Sequence, residues 1–320
     1  MRVLVTGGAG FIGTNLCHHL CTDTIVDEIV VLDDASHGDP DALADLPVRT
    51  VIGSVCDPEV LAEATDGVDA IVHLAAHSGS GAGVSDPVGA QRVNVEGTVA
   101  VLEAARRAGD AHVILASSAA IYGANPALPS HEELAPLPRT PYAASKLAAE
   151  SFASAYQQSL GLPVLTLRLF DVYGRHQPLD AAEGAVVASF VRAALVGEPL
   201  RIHGDGRQTR DFIDAGTVSR IIAAALHDRV CAPRPINIGS GRQTSIIELA
   251  RLVAASVGGP VTLRNHGARL GDDRDRRASI ERMTTRFGHV PRTSLEDGLA
   301  DMIEWARTQF ERPVVGAGHH

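Results

Sequence analysis

The sequence holds only four cysteines, Cys17, Cys21, Cys56 and Cys231, and none of them forms a CxxC pair. They read as reduced core thiols in a cytoplasm, with the first two sharing a helix face at i, i+4. A clustered positive field is also missing: the net charge is -10 and the pI near 5.7. That argues against nucleic acid or an anionic membrane as partner. No apolar run approaches the length of a membrane span, and the chain opens on a strand at Arg2 rather than on a signal peptide. His77, His131, His203 and His266 lack metal-ligand spacing, so no metal is expected. No repeat or low-complexity linker divides the chain. What is present, a 45% hydrophobic fraction in 320 residues, suits one large α/β domain or two unequal ones sharing a core.

The run Val3-Leu4-Val5 ends at Thr6 and leads into Gly7-Gly8-Ala9-Gly10-Phe11-Ile12-Gly13, followed by a helical pattern through Leu16 and Leu20. In this strand, turn and helix, Gly7 allows the tight turn, Gly10 lets backbone approach a pyrophosphate and Gly13 lets helix and strand pack closely. A purely structural glycine turn accounts for the same spacing. The next strand, Glu28 to Leu32, ends at Asp33-Asp34, where an acid meets a ribose 2′-OH and repels a 2′-phosphate. NAD is therefore favoured over NADP.

Strands are expected at Val48–Ile52, Ala70–His73, His112–Ala116 and Val164–Leu169, and helices at Pro87–Ala108 and Pro141–Leu160. This alternation predicts an α/β, Rossmann-type doubly wound parallel sheet. The expected division is a dinucleotide-binding domain over 1–169 and a smaller α/β substrate lobe over 170–320, with segments returning to the core. Ligands of such sheets lie beyond the strand C-terminal ends, which brings Ala75-Ala76, Ser117-Ser118 and Phe170-Asp171 to one crevice.

Pro141 opens a helix that carries Tyr142 and Lys146 four residues apart, on one face. A cation so placed favours the phenolate, giving Tyr142 a lowered expected pKa and the means to exchange a proton near neutral pH. Taken alone, such a pair is more often an ordinary solvated face. Ser118 is positioned to share a hydrogen bond with a substrate oxygen and Tyr142, or simply to end its strand. Among the arginines after about residue 170, Arg210, Arg269, Arg274, Arg276 and Arg277 suit a diphosphate or a solvated face.

Taken in order, TGGAGFIG (Thr6–Gly13), VVLDD (Val30–Asp34), HLAA (His73–Ala76), NVEGT (Asn94–Thr98), SSAAIYG (Ser117–Gly123), PYAASK (Pro141–Lys146), FDVYG (Phe170–Gly174), GDGRQTRDF (Gly204–Phe212), NIGSG (Asn237–Gly241) and RLGDDR (Arg269–Arg274) resemble the extended short-chain dehydrogenase/reductase family, in its NAD-dependent nucleotide-sugar epimerase branch. The resemblance implies a catalytic Ser118, Tyr142 and Lys146. It also implies cofactor contacts from Gly7, Gly10, Phe11, Ile12, Gly13, Asp33, Asp34, Ser54, Val55, Leu74, Ala75, Ala76, Asn94, Tyr142 and Lys146. Asn94 has a structural or relay role. Substrate contacts fall to Ser118, Asp171, Arg210, Arg269 and Asp272. The implied protein is a cytoplasmic homodimer acting on a nucleotide sugar.

Sugar 4,6-dehydratases of this family carry an Asp-Glu pair after the serine, and uronate decarboxylases usually a Glu, whereas here stand Ala119 and Ala120. An alanine transfers no proton, so the expected reaction is 4-epimerisation of a UDP-hexose, UDP-N-acetylhexosamine or UDP-uronate. The alternatives are net oxidation or reduction of a nucleotide sugar, and an NAD-binding protein without turnover, which has no need of the tyrosine and lysine. Departures from the family pattern are Ser54 for an acid near the adenine, the small-residue loop Gly79-Ser80-Gly81-Ala82-Gly83, and Asp171 where an Asn is usual. Another negative charge at 171 is unfavourable unless paired or protonated. Arg276 aligns with a residue that limits sugar size, which points to an unusual sugar.

Overall fold

The computed structural model describes residues 1–77, 86–123, 125–180, 185–259, 261–267, 275–290 and 292–311. Apolar runs form β1 (Arg2–Thr6), β2 (Glu28–Asp33), β3 (Val48–Ile52), β4 (Ala70–His73), β5 (His112–Ser118) and β6 (Val164–Leu169). Short strands follow: β7 (Asp171–Tyr173), β8 (Leu200–His203), β9 (Thr209–Arg210) and β10 (Phe212–Asp214), before β11 (Ile236–Ile238). Seven strands make one parallel sheet in the order β11-β6-β5-β4-β1-β2-β3. Because helices cover both faces, the strands read as continuous rather than alternating apolar runs.

One face packs on Leu16, Cys17 and Leu20 of the helix Phe11–Leu20 and on Ile221, Ile222 and Leu226 of the helix Ala215–His227. The other packs on Leu61, Val101, Leu102, Ala149 and Ala153 from three further helices. A separate apolar core around Phe190, Leu249 and Met302 joins the helices Val186–Leu195, Ile246–Val257 and Leu295–Glu311. β11 and Ala215–His227 thus come from the C-terminal half and complete the sheet layer. β1 pairs with both β2 and β4, so the strand order reverses there and opens a crevice at the strand C-terminal ends.

Two local features differ from expectation. β5 runs two residues past Ala116, through Ser117 and Ser118, because β6 continues the pairing: Ser117 lies opposite Arg168 and Ser118 opposite Leu169. The helix expected over Pro87–Ala108 is interrupted by a π turn at Arg92–Glu96, which holds the buried Asn94. Such turns are often found where a side chain has a local task. Among the described residues no helix is long and apolar enough to cross a membrane.

Candidate active site

The first wall of the crevice is the glycine turn. Gly7 has φ +70°, and a Cβ there would lie 2.6 Å from the Ala75 nitrogen; one on Gly13 would lie 2.2 Å from the Gly7 oxygen. Side chains are excluded at both positions, which lets the helix Phe11–Leu20 start against β1. Gly10 is its N-cap and supplies no side-chain cap, so the first-turn N–H groups are presented to the crevice. Asp33 stands at the end of β2, its Oδ2 accepting from Ala9 N at 3.0 Å and its Oδ1 from Ala35 N at 2.9 Å. Each oxygen keeps a lone pair for a ribose hydroxyl.

The crevice has a volume of about 1310 Å³, above the ~300–1,000 Å³ of an ordinary small-ligand pocket. Gly7, Gly10, Phe11, Ile12, Gly13, Asp33, Asp34, Ser54, Val55, Leu74, Ala75, Ala76, Ser118, Tyr142 and Lys146 all line it. An uncapped helix start for a diphosphate, an acid for a ribose and room for two ligands fit NAD together with a substrate. Ser54 turns inward locally, its Oγ accepting from Cys56 N at 3.2 Å.

The reacting end lies where β5 meets the helix Pro141–Leu160. Thr140 caps that helix by accepting from Ala143 N at 3.1 Å, and Pro141 occupies its first turn. Ser118 caps the short turn Ala119–Tyr122, accepting from Ala120 N at 3.1 Å, and lines the crevice with Tyr142. Lys146 is buried and its Nζ donates to Ala116 O at 3.0 Å. The expected lowering of the Tyr142 pKa is not found. Burial lifts the phenol above its ordinary value, and the opposing effect comes from the Ser118 hydrogen bond rather than from Lys146, whose ammonium is engaged by β5. Burial brings Lys146 itself down to about 8, against the pull of Glu150. His73 is held down at about 3 by burial and then by the Lys146 charge, and so is neutral between Thr6 Oγ1 at 2.7 Å and Thr98 Oγ1 at 3.1 Å.

Asn94 supports this wall instead of lining it. Its Oδ1 accepts from His77 N at 2.7 Å, and its Nδ2 donates to His77 O at 3.2 Å and to Ser145 Oγ at 2.9 Å. Ser145 Oγ in turn donates to Tyr142 O at 2.8 Å. Both ends of its amide are taken by protein, so Asn94 ties the His77 backbone to the Tyr142 helix, as a structural role would have it.

Asp171 and Arg276, two departures from the family pattern, meet: Arg276 Nη1 lies 3.4 Å from Asp171 Oδ1. The negative charge is thereby paired. Arg210 is buried, its Nη1 donating to Thr209 O at 2.8 Å. Arg269, Asp272, Arg274 and the loop 79–83 lie outside the described residues.

Sequence reasoning gave no role of its own to three groups. Ser117 Oγ is buried on the crevice wall and has no hydrogen-bond partner among the described residues. Its serine doublet was the available signal. Arg168 and Glu150 form a buried pair beneath the site, with Arg168 Nη2 2.8 Å from Glu150 Oε2. Asp211 is fully buried and takes Ser240 N and Oγ on one oxygen, both at 2.7 Å, and Gly241 N at 3.0 Å and Ala278 N at 2.8 Å on the other. Burial pushes its carboxyl up to about 6 against those donors. Asp211→Asn must turn an amide NH₂ toward N–H donors, and is expected to cost about 1–3 kcal/mol in urea denaturation. An unchanged midpoint would remove Asp211 as the latch between β9–β10 and the segment at Ala278.

The NAD dependent epimerase/dehydratase family model matches residues 3–239. UDP-glucose 4-epimerase of Mycolicibacterium smegmatis is 36% identical over 319 residues, covering 97% of this chain and 100% of the relative. dTDP-glucose 4,6-dehydratase of Streptomyces niveus is 30% identical, covering 96% of this chain and 93% of the relative. The solved structure of Thermus thermophilus UDP-glucose 4-epimerase in complex with NAD superposes with a TM-score of 0.87 at 31% identity, covering 96% of this chain and 99% of that one. With the seven-stranded sheet, the glycine turn and the crevice already matching in kind, the chain belongs to the NAD-dependent epimerase/dehydratase family, and NAD is its cofactor.

Proposed function

We propose that the protein epimerises a nucleotide sugar at C4 by transient oxidation. The substrate is a UDP-hexose, UDP-N-acetylhexosamine or UDP-uronate. The observation that carries this reading is that Ser118 and Tyr142 line the crevice together with buried Lys146, with Ala119 and Ala120 where the family resemblance puts a dehydratase's acids. Bound NAD supplies the acceptor, and then the donor, of a hydride. Tyr142 takes the proton of the sugar C4 hydroxyl and returns it to the same oxygen after the 4-keto sugar has presented its other face. Ser118 steadies that oxygen and, beside the phenol, favours the tyrosinate. Lys146 brings one positive charge to the same wall, and neutral His73 adds none to compete with it.

The volume of the crevice supports a sugar that turns over without leaving. Glycine positions 7 and 13 and Asp33 hold the dinucleotide, while Arg210, Arg269, Asp272 and the Asp171–Arg276 pair serve the nucleotide sugar. Among relatives of similar identity are a UDP-glucuronic acid decarboxylase and a dTDP-glucose 4,6-dehydratase. Alanines at 119 and 120 leave neither of those eliminations a proton carrier at that position. Incubation with each UDP-sugar pair, followed by ¹H NMR, should show inversion at C4 with no net NADH. Inertness toward all of them, or steady NADH release, would sink the assignment.

A further inference from the structure

Lys146 is the only lysine in the chain. It lies midway along one face of the helix Pro141–Leu160, four residues after Tyr142 and four before Glu150. Glu150 is buried and gripped by Arg168 from β6: Nε lies 3.0 Å from Oε1 and 3.3 Å from Oε2, and Nη2 lies 2.8 Å from Oε2. The same guanidinium gives Nη1 to Tyr122 OH at 2.9 Å and to Glu132 O at 3.4 Å, and it lies 5.1 Å from the centre of the Tyr122 ring. Tyr122 OH in turn donates a hydrogen bond to Asn237 Oδ1 at 2.7 Å.

Nothing in the proposed reaction uses Glu150 directly. Yet it is a buried carboxylate one helical turn below a buried ammonium, in a region where charges are poorly screened. The groups that face Lys146 are Tyr142 and Glu150 on its own helix, His73 on β4 and Ala116 O on β5, with Arg168 behind Glu150 on β6. His73 is neutral, so among these Glu150, ion-paired with Arg168, is the one carboxyl group.

We propose that Glu150 is a positioning residue for the proposed epimerase reaction: held rigid by its buried ion pair with Arg168, it keeps Lys146 protonated for its place beside Tyr142. A purely structural Glu150–Arg168 pair predicts no effect on Lys146. An electrostatic one predicts that removing the carboxylate lowers the Lys146 pKa, since Glu150 raises it in the folded protein.

A single lysine makes the titration direct. Labelling with [6-¹³C]lysine gives one side-chain Cε signal, whose shift against pH reports Lys146 with no need for turnover. In Glu150→Gln, which keeps the shape and removes the charge, the midpoint is expected to fall by about one pH unit, a tenfold change in protonation. Glu150→Asp, which keeps the charge, should hold it closer to wild type. In the NAD-loaded enzyme, the alkaline limb of kcat should move to lower pH in parallel while the affinity for UDP is unchanged. Should Glu150→Gln fail to fold, the double variant E150M/R168M replaces the buried pair as a unit and should lower the midpoint in the same direction. An unshifted midpoint in the folded variants overturns the proposal, and so does failure of all three to fold, which would assign Glu150 to the fold alone. The NMR titration distinguishes this from failure of the epimerase reading: a shifted midpoint in an enzyme inert toward every UDP-sugar sinks the latter only.

Discussion

Tyr142→Phe is expected to lower kcat for C4 inversion by about 10²–10⁴-fold, the usual worth of a positioned proton carrier, while NAD content and UDP affinity stay as in wild type. The substitution removes one oxygen and keeps the ring, so packing on the crevice wall changes little. What disappears is the phenol oxygen on the crevice wall that Ser118 also lines. Because burial holds the phenol above its ordinary pKa in the protein alone, its oxygen does its work only where the anion is favoured, and Ser118 is the donor in place for that. Ser118→Ala should therefore act in the same direction as Tyr142→Phe but less strongly. NAD released by acid from purified Tyr142→Phe and quantified by absorbance checks that the cofactor remains. If the variant kept more than about a tenth of the rate, Tyr142 would not be the group that moves the proton.

The physical basis of that site was only partly legible in the chain. The glycine turn, Asp33 and the strand runs could be read because each depends on local rules: tight turns exclude side chains, and strands buried on both faces stay apolar. Ser118 and Tyr142 could be brought together because the sheet order sends β5 and its following helix to the same end of the crevice. The ionic state could not be read in this way. A four-residue spacing shows that Tyr142 and Lys146 share a face, but not that Lys146 Nζ turns to Ala116 O, nor that burial outweighs charge at the phenol. The role of Asn94 came from family resemblance alone, and the π turn that commits its amide to His77 and Ser145 has no local sequence pattern of its own. The pairing of Asp171 with Arg276 joins residues 105 apart in sequence, which no local pattern connects. Arg168 carried a signal that went unused: a charged residue inside the apolar run Val164–Leu169 calls for a buried partner.

That partner sets the second large effect. Arg168→Met is expected to destabilise the protein by about 3–5 kcal/mol in chemical denaturation, the cost of breaking a buried pair on one side. Arg168 is 5% exposed and Glu150 8% exposed, so neither charge can recover its hydration when the other is lost. E150M/R168M removes both charges, and Tyr122 OH still has Asn237 as acceptor. The Glu132 carbonyl loses one long contact, at 3.4 Å. The double variant should therefore regain about 2 kcal/mol or more over Arg168→Met, a coupling within the range measured for contacting buried groups. Equal destabilisation in the single and double variants would mean that Arg168 acts through its packing against Tyr122 rather than through Glu150. Recovery of stability joined to a lowered Lys146 midpoint separates the two contributions: replacement of the pair by methionines preserves the fold, while the lysine at the reacting end loses the charge that held its proton.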